Sequence, residues 1–303
     1  MQVISFVSAS GGVGKTLFSI LTAGALALSK RVLLVDFDPS AASTLYLLHD
    51  YVEDCNLKTL IKDIVDVYRG ASDKRRVFVE DCLRTHKVVG APSKSFQILP
   101  GGNLEDVKSD VFSVAKWHSL LSEALEPVVG QFDYVIVDAP NWVYPLFPMT
   151  IQMSSYYVVL TRPWPSEVKR TMKFLERVTR MMKNAFRIDQ PELYAVVVLN
   201  QFRSNMKGDE VRQTAEKAIK SLRAEFPQLR VVTSEIEDQY YGENKSQFWG
   251  FKYVDRLSVD QYLTSGHPLF AGGEKEKKAK IQFERYIQYL ESYLKETSPY
   301  VIE

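Results

Sequence analysis

Near its start the chain reads VISFVSASGGVGKTLFSILTAGALAL: a short apolar run, a glycine-rich loop, Lys-Thr, then a long apolar stretch. No other segment limits the fold as strongly. Val3–Val7 is β-branched and apolar and reads as a buried strand. Gly11, Gly12 and Gly14 let backbone N–H groups approach an anion without Cβ clashes. A helix opening near Lys15 adds unpaired N–H groups and the positive end of its dipole. Lys15 can then reach β- and γ-phosphate oxygens, and Thr16 can bind Mg²⁺. The lining expected for a polyphosphate is Ser10, Gly11, Gly12, Val13, Gly14, Lys15 and Thr16. The pattern usually begins with glycine; here that place is Ala9. A plain glycine turn before a helix accounts for the glycines but not for Lys-Thr behind them.

Further strands are expected at Arg31–Asp36, Phe96–Leu99, Tyr134–Asp138, Tyr156–Thr161, Tyr194–Asn200 and Leu229–Thr233, with helical patterns between most of them. Such alternation predicts an α/β fold: a doubly wound, mostly parallel sheet with helices on both faces. Runs such as VLLVD and YVIVD suit strands buried on both sides. One domain over 1–303 is expected, with a mostly helical segment over 45–95 and an inserted loop over 239–253. In VLLVDFDP a strand ends at Asp36 with Asp38 just beyond, and FDYVIVDAPN ends another at Asp138. The carboxyl ends of parallel strands face the crevice that holds the phosphate loop. Asp138, with Asp36, is therefore a candidate partner of Thr16 at the metal. Asp38 is a candidate to orient or deprotonate the attacking water. Either Asp alone could equally be a helix cap or turn residue.

Composition narrows the setting. Lys+Arg exceeds Asp+Glu by one, so no global attraction to polyanions is implied. The two cysteines, Cys55 and Cys82, lack metal-ligand spacing and are expected to be small buried hydrophobes in a reducing cytoplasm. The first residues lack a basic region, and no run approaches the roughly 18 apolar residues of a membrane span, so no targeting segment is expected. His49, His86, His118 and His267 are scattered and suggest no metal site.

Charge is uneven along the chain. Ser166–Arg230 holds 14 Lys and Arg against 8 Asp and Glu, leaving the remainder acidic. At 100° per residue, Lys169, Lys173, Arg177, Arg180, Lys183 and Arg187 fall within an arc of about 120°. Phe174, Val178, Met181, Met182 and Ala185 gather on the opposite side. The next helical segment adds Arg212, Lys217, Lys220 and Arg223. Either this is a solvated face or it meets phosphates. Near the end, Ile281, Phe283, Tyr286, Ile287, Leu290, Tyr293 and Leu294 form an amphipathic helix. Its polar face carries Glu284, Glu291 and Glu296, which favours packing on the domain over a membrane surface.

In order along the chain, SGGVGKT, VLLVDFDPSAAST, FQILPGG, FDYVIVDAP, VVLN and SGHPLF resemble the ParA/MinD family of deviant-Walker ATPases, most of all its ParA-type partition and cargo-positioning members. The resemblance implies ATP and Mg²⁺ as cofactors and a homodimer closed around two ATP molecules. It implies slow ATP hydrolysis stimulated by a ParB-like or other small activator, and DNA or another cargo to be positioned. By position, Lys15 and Thr16 take phosphate and metal, Asp38 is the hydrolytic acid, Asp138 supports Mg²⁺ and Asn200 contacts adenine. Lys169, Lys173, Arg177, Arg180, Lys183, Arg187, Lys220 and Arg223 lie on the elements through which ParA-type relatives hold non-specific DNA. That implies a cytoplasmic, nucleoid-associated protein. Two departures stand out: Ser10 replaces the family's second lysine, which reaches across the dimer, and Asn141 replaces a proline after Asp138. Lack of that lysine is shared with ParA-like ATPases that space carboxysomes. The alternatives are a MinD-like membrane switch, a binding protein that hydrolyses almost nothing, and a metabolic amidotransferase-type relative.

Overall fold

The computed structural model describes residues 1–88, 91–184, 193–202, 208–226, 230–232, 251–252 and 274–297. They fall into two compact units, one from Met1–Phe6 and Lys15–Ser155, the other from Val7–Gly14 and the described part of Tyr156–Val301.

The first unit begins with β1 (Gln2–Ser8, whose last two residues belong to the second unit), α1 (Lys15–Leu26), β2 (Val32–Asp36), α2 (Ala42–Leu48), α3 (Leu57–Tyr68) and α4 (Val79–Cys82). β3 (Arg84–Val88), β4 (Ala91–Leu99), α5 (Lys108–Phe112), α6 (Leu120–Val129), β5 (Tyr134–Asp138) and α7 (Phe147–Met153) complete it. Its strands lie in the order β3-β4-β2-β5-β1. All pairs are parallel except β3 with β4. Side chains alternate between the sheet's faces. On one face Val3, Leu33, Val35, Leu99, Val135 and Val137 form a core with Leu60, Ile61 and Ile64 of α3 and Leu121 and Leu125 of α6. The alternate residues Ile4, Leu34, Ile98 and Ile136 are fully buried too, on the side where α1 packs against β2, β4 and β5. The doubly wound, mostly parallel α/β fold follows from central strands such as β2 and β5, which are buried at every position.

The second unit contains β6 (Tyr156–Thr161), α8 (Pro165–Asn184), β7 (Ala195–Phe202), α9 (Gly208–Glu225), β8 (Arg230–Val232), β9 (Phe251–Lys252) and α10 (Glu274–Glu296). β7 is paired in parallel with β6, β8 and β9. On α10, Phe283, Tyr286, Leu290, Tyr293 and Leu294 are buried. Just beyond, Thr297 O accepts a 2.6 Å hydrogen bond from Tyr156 Oη. Among the described residues no helix is long and apolar enough to cross a membrane.

Two expectations need correction. The segment 45–95 is not mostly helical: it contains β3 and the start of β4. RTHKV alternates half-buried and exposed positions, as suits an antiparallel edge strand with one solvated side, so it offers no apolar run to read. Cys55 and Cys82 are not separate thiols but a disulfide across 27 residues. Folding brings their Cα atoms to 4.8 Å, within bonding range, which linear spacing could not reveal. The bond removes cysteine usage as an argument for a reducing compartment. Of the expected insertion 239–253, only Phe251–Lys252 lies within the described residues, as β9.

Candidate nucleotide site

Within the second unit, β1 ends in the loop that carries the sequence motif. Gly12 and Gly14 have φ of 67° and 96°, left-handed values that favour glycine. Val13 is fully buried and anchors the loop. Arg162, at the end of β6, donates from Nη2 to the carbonyl oxygens of Gly12 (3.1 Å) and Gly11 (3.4 Å). Asn200, on β7, is buried and donates from Nδ2 to Val13 O at 2.8 Å. Adenine contact was the role that resemblance implied for Asn200; here its amide is seated on the loop. Ser8 Oγ donates to Ser10 O at 2.7 Å. The Ser10 hydroxyl is enclosed and makes no hydrogen bond.

Within the first unit, Lys15 and Thr16 open α1 and are half-buried. Asp36 and Asp138 are register partners on β2 and β5, side by side and fully buried. Asp36 Oδ2 accepts from Thr44 N at 2.8 Å and Thr44 Oγ1 at 2.7 Å, and Asp36 Oδ1 from Asp38 N at 3.3 Å. Thr44 Oγ1 in turn accepts from Gly101 N at 2.7 Å. Asp138 Oδ2 accepts from Ser43 Oγ at 2.7 Å, but its Oδ1 is buried with no hydrogen bond. Burial, then mutual repulsion, raises the Asp36 carboxyl. Burial raises Asp138 too, opposed by the charge of Lys15 and by the hydroxyls of Ser43 and Thr16. Asp38 is half-buried and its Oδ1 accepts from Ser40 N (3.0 Å) and Ser40 Oγ (2.6 Å). The turn beyond it holds Ala41 at φ 49°, a strained value for a residue with a Cβ.

These residues fit a divalent cation. A buried carboxylate oxygen without a donor, beside a second desolvated carboxylate, is destabilised until positive charge arrives. The described residues hold no group of three or more His, Cys, Asp or Glu able to bind a metal. Mg²⁺ takes one or two protein ligands and completes its shell with phosphate and water. Of the two carboxylates, Asp138 leaves one oxygen, Oδ1, that no donor occupies. Asp36 has both oxygens engaged and so holds Thr44 and the Asp38 turn.

Sequence reasoning passed over Arg162, Ser43, Thr44 and Gly101. A basic residue closing a strand, a Ser-Thr pair after Asp38 and a paired glycine were the only available signals. The partners of Arg162, Ser43 and Gly101 lie 57 or more residues away in sequence.

The basic helices keep the expected sides. On α8, Val168, Thr171, Phe174, Leu175, Val178 and Met182 are buried, while Lys169, Lys173, Arg177, Arg180 and Lys183 are exposed. Met181 is half-exposed rather than core. On α9, Ala215, Ala218 and Leu222 are buried and Lys217, Lys220 and Arg223 exposed. α8 and α9 pack side by side. Arg187 and Ala185 lie outside the described residues, as does the side chain of Arg212.

The family model described as an AAA domain matches residues 1–188. The maintenance of carboxysome distribution protein A of Gloeothece citriformis is 25% identical over 253 residues, covering 82% of this chain and 88% of that protein. The sporulation initiation inhibitor protein Soj of Bacillus subtilis is 30% identical over 144 residues, 46% of this chain and 49% of Soj. An ATP complex of McdA from Cyanothece shares the fold, with a TM-score of 0.70 at 20% identity and 96% of each chain covered. With the loop, the carboxylate pair and the doubly wound sheet in place, the chain belongs to the AAA-domain family, as a P-loop ATPase of the ParA/MinD type.

Proposed function

We propose that this chain is a ParA-like positioning ATPase, one P-loop domain over 1–303, that works as an ATP-dependent homodimer on non-specific DNA. Its cofactors are ATP and Mg²⁺. The reaction is ATP + water to ADP + phosphate. The amides after Ser10 and the Lys15 ammonium bind phosphate; Thr16 and Asp138 hold the metal. Bound Mg²⁺ supplies positive charge against the phosphate oxygens. Asp38 positions the water. Asn200 holds the loop and is also the residue proposed to meet the base. A small ParB-like or other activator sets the turnover rate, and nucleoid association follows from the DNA contact.

The observation that carries the DNA reading is the pairing of α8 and α9. Both bury their apolar sides and leave Lys169, Lys173, Arg180, Lys183, Lys217 and Lys220 exposed. Lys and Arg contacts to phosphate are sufficient for sequence-independent binding. Dimerisation puts two such surfaces on one duplex and raises avidity. Similarity to a carboxysome-distribution protein over most of both chains, with Ser10 in place of the family's lysine, favours a large protein cargo as the second reading. The MinD-like membrane reading is weakened by α10, on which Phe283, Tyr286, Ile287, Leu290, Tyr293 and Leu294 are buried.

Fluorescence anisotropy with duplex DNA at several salt concentrations tests this. Binding should require ATP rather than ADP and weaken with a log–log slope of about −0.9 per phosphate neutralised. Lys173→Ala, Lys183→Ala and Lys220→Ala should each flatten the slope by up to about one unit per protomer. No binding with ATP at low salt, or three silent variants, would leave the stripe as a solvated face and favour the cargo or membrane reading.

A further inference from the structure

Three consecutive carbonyls of the phosphate loop are tied down from the same unit. Gly11 O and Gly12 O accept from Arg162 Nη2, and Val13 O from Asn200 Nδ2. None of the described peptide bonds is cis. In a trans peptide the N–H of the next residue points opposite to the carbonyl. Fixing these carbonyls therefore turns the N–H groups of Gly12, Val13 and Gly14 to the other side of the loop. Successive amides presented this way form an anion-binding concavity.

The tether is itself well supported. Arg162 precedes Pro163, which confines its backbone to extended conformations. A Cβ on Gly12 would already lie 3.4 Å from Arg162 Nη2, so the guanidinium approaches where position 12 has no side chain. Asn200 is buried at the end of a central strand of its unit. A guanidinium on a carbonyl is a charge-assisted bond, stronger than a neutral one.

We propose that Arg162 and Asn200 are positioning residues for the phosphate loop. From its carbonyl side they hold the amides of Gly12, Val13 and Gly14 ready for the diphosphate part of a nucleotide before it binds. This rests on the ATP-binding reading. Without the tether the loop must be ordered during binding, which lowers affinity.

Calorimetric titration of the full-length chain with ATP, ADP and inorganic tripolyphosphate, each with Mg²⁺, tests the idea. Arg162→Ala should weaken ATP and ADP by the same factor, about tenfold, the scale of ordering one loop residue on binding. Arg162→Lys, which keeps one donor, should recover part of the loss; Arg162→Gln serves if the alanine variant does not fold. Asn200→Ala should weaken tripolyphosphate as well as ATP, because the share of its effect that runs through the loop does not need the base. ATP weakened far more than ADP by Arg162→Ala would mean a direct charge contact with the terminal phosphate and overturn the proposal. Asn200→Ala that weakens ATP but spares tripolyphosphate would assign that side chain to the base alone and overturn its share. Lower folding stability with unchanged affinities would make both residues merely structural. Wild-type protein that binds none of the three ligands would end the ATP-binding reading itself, and this proposal with it.

Discussion

Gly101→Ala probes the packing that holds the buried carboxylates. A Cβ there would lie 2.9 Å from both Cγ and the backbone O of Asp36, and 3.1 Å from its Oδ2. Those atoms cannot retreat easily. Asp36 is fully buried at the end of β2, and its Oδ2 already accepts two hydrogen bonds from Thr44. Lifting Gly101 instead would break the bond from its N–H to Thr44 Oγ1. Overpacking costs about 1–3 kcal/mol, and a buried group left unpaired about 1–3 kcal/mol. Since relaxation trades one against the other, the expected loss is about 1–3 kcal/mol. With a urea slope of about 2–3 kcal/mol/M, the unfolding midpoint should fall by about 0.3–1.5 M. Gly24, inside α1, is the control: a Cβ there meets nothing within 4 Å. Gly24→Ala should raise stability by about 0.5–1 kcal/mol through helix propensity. Urea titrations followed by circular dichroism measure both. Equal midpoints for Gly101→Ala and wild type would refute the close fit around Asp36.

Lys15→Ala should lower ATP affinity about tenfold to a hundredfold, the value of a charge-assisted phosphate contact; calorimetry with a non-hydrolysable analogue that finds no change in a folded variant would remove Lys15 from the site. Asp38→Ala should retain ATP but slow turnover by about 10²–10⁴-fold, the range for loss of a general base, and accumulate the ATP-bound dimer; phosphate release at the wild-type rate would move the role elsewhere. Stability of the nucleotide-free protein should fall as pH rises. Asp36 is pushed up to about 8 and Asp138 to about 6, from 3.8, so the native state holds more protons than the unfolded chain across that window. Urea midpoints in metal-free buffer should therefore decline from about pH 4 toward pH 8, and a rise over that interval would mean that other groups pair with the ionised carboxylates.

The phosphate loop, the parallel strands and the three aspartates were legible in the chain because each depends on local order. Glycines must stand where φ turns positive, apolar runs must stand where both sheet faces are covered, and carboxylates must stand at strand ends. The two sides of α8 were legible for the same reason, since helical period alone separates Lys173 from Phe174. Only folding could decide the rest. β3 has no apolar run because one of its faces meets water, so its identity rests on pairing with β4. Cys55 and Cys82 bond because packing brings the turn before α3 against α4. Asp36 and Asp138, 102 residues apart, become neighbours through strand register; burial at that place raises both carboxyls, and repulsion from Asp138 adds to the rise at Asp36. Arg162 and Asn200 reach the loop across separations of 150 and 187 residues. Their roles arise from where parallel strands end in space, a property that no window of sequence contains.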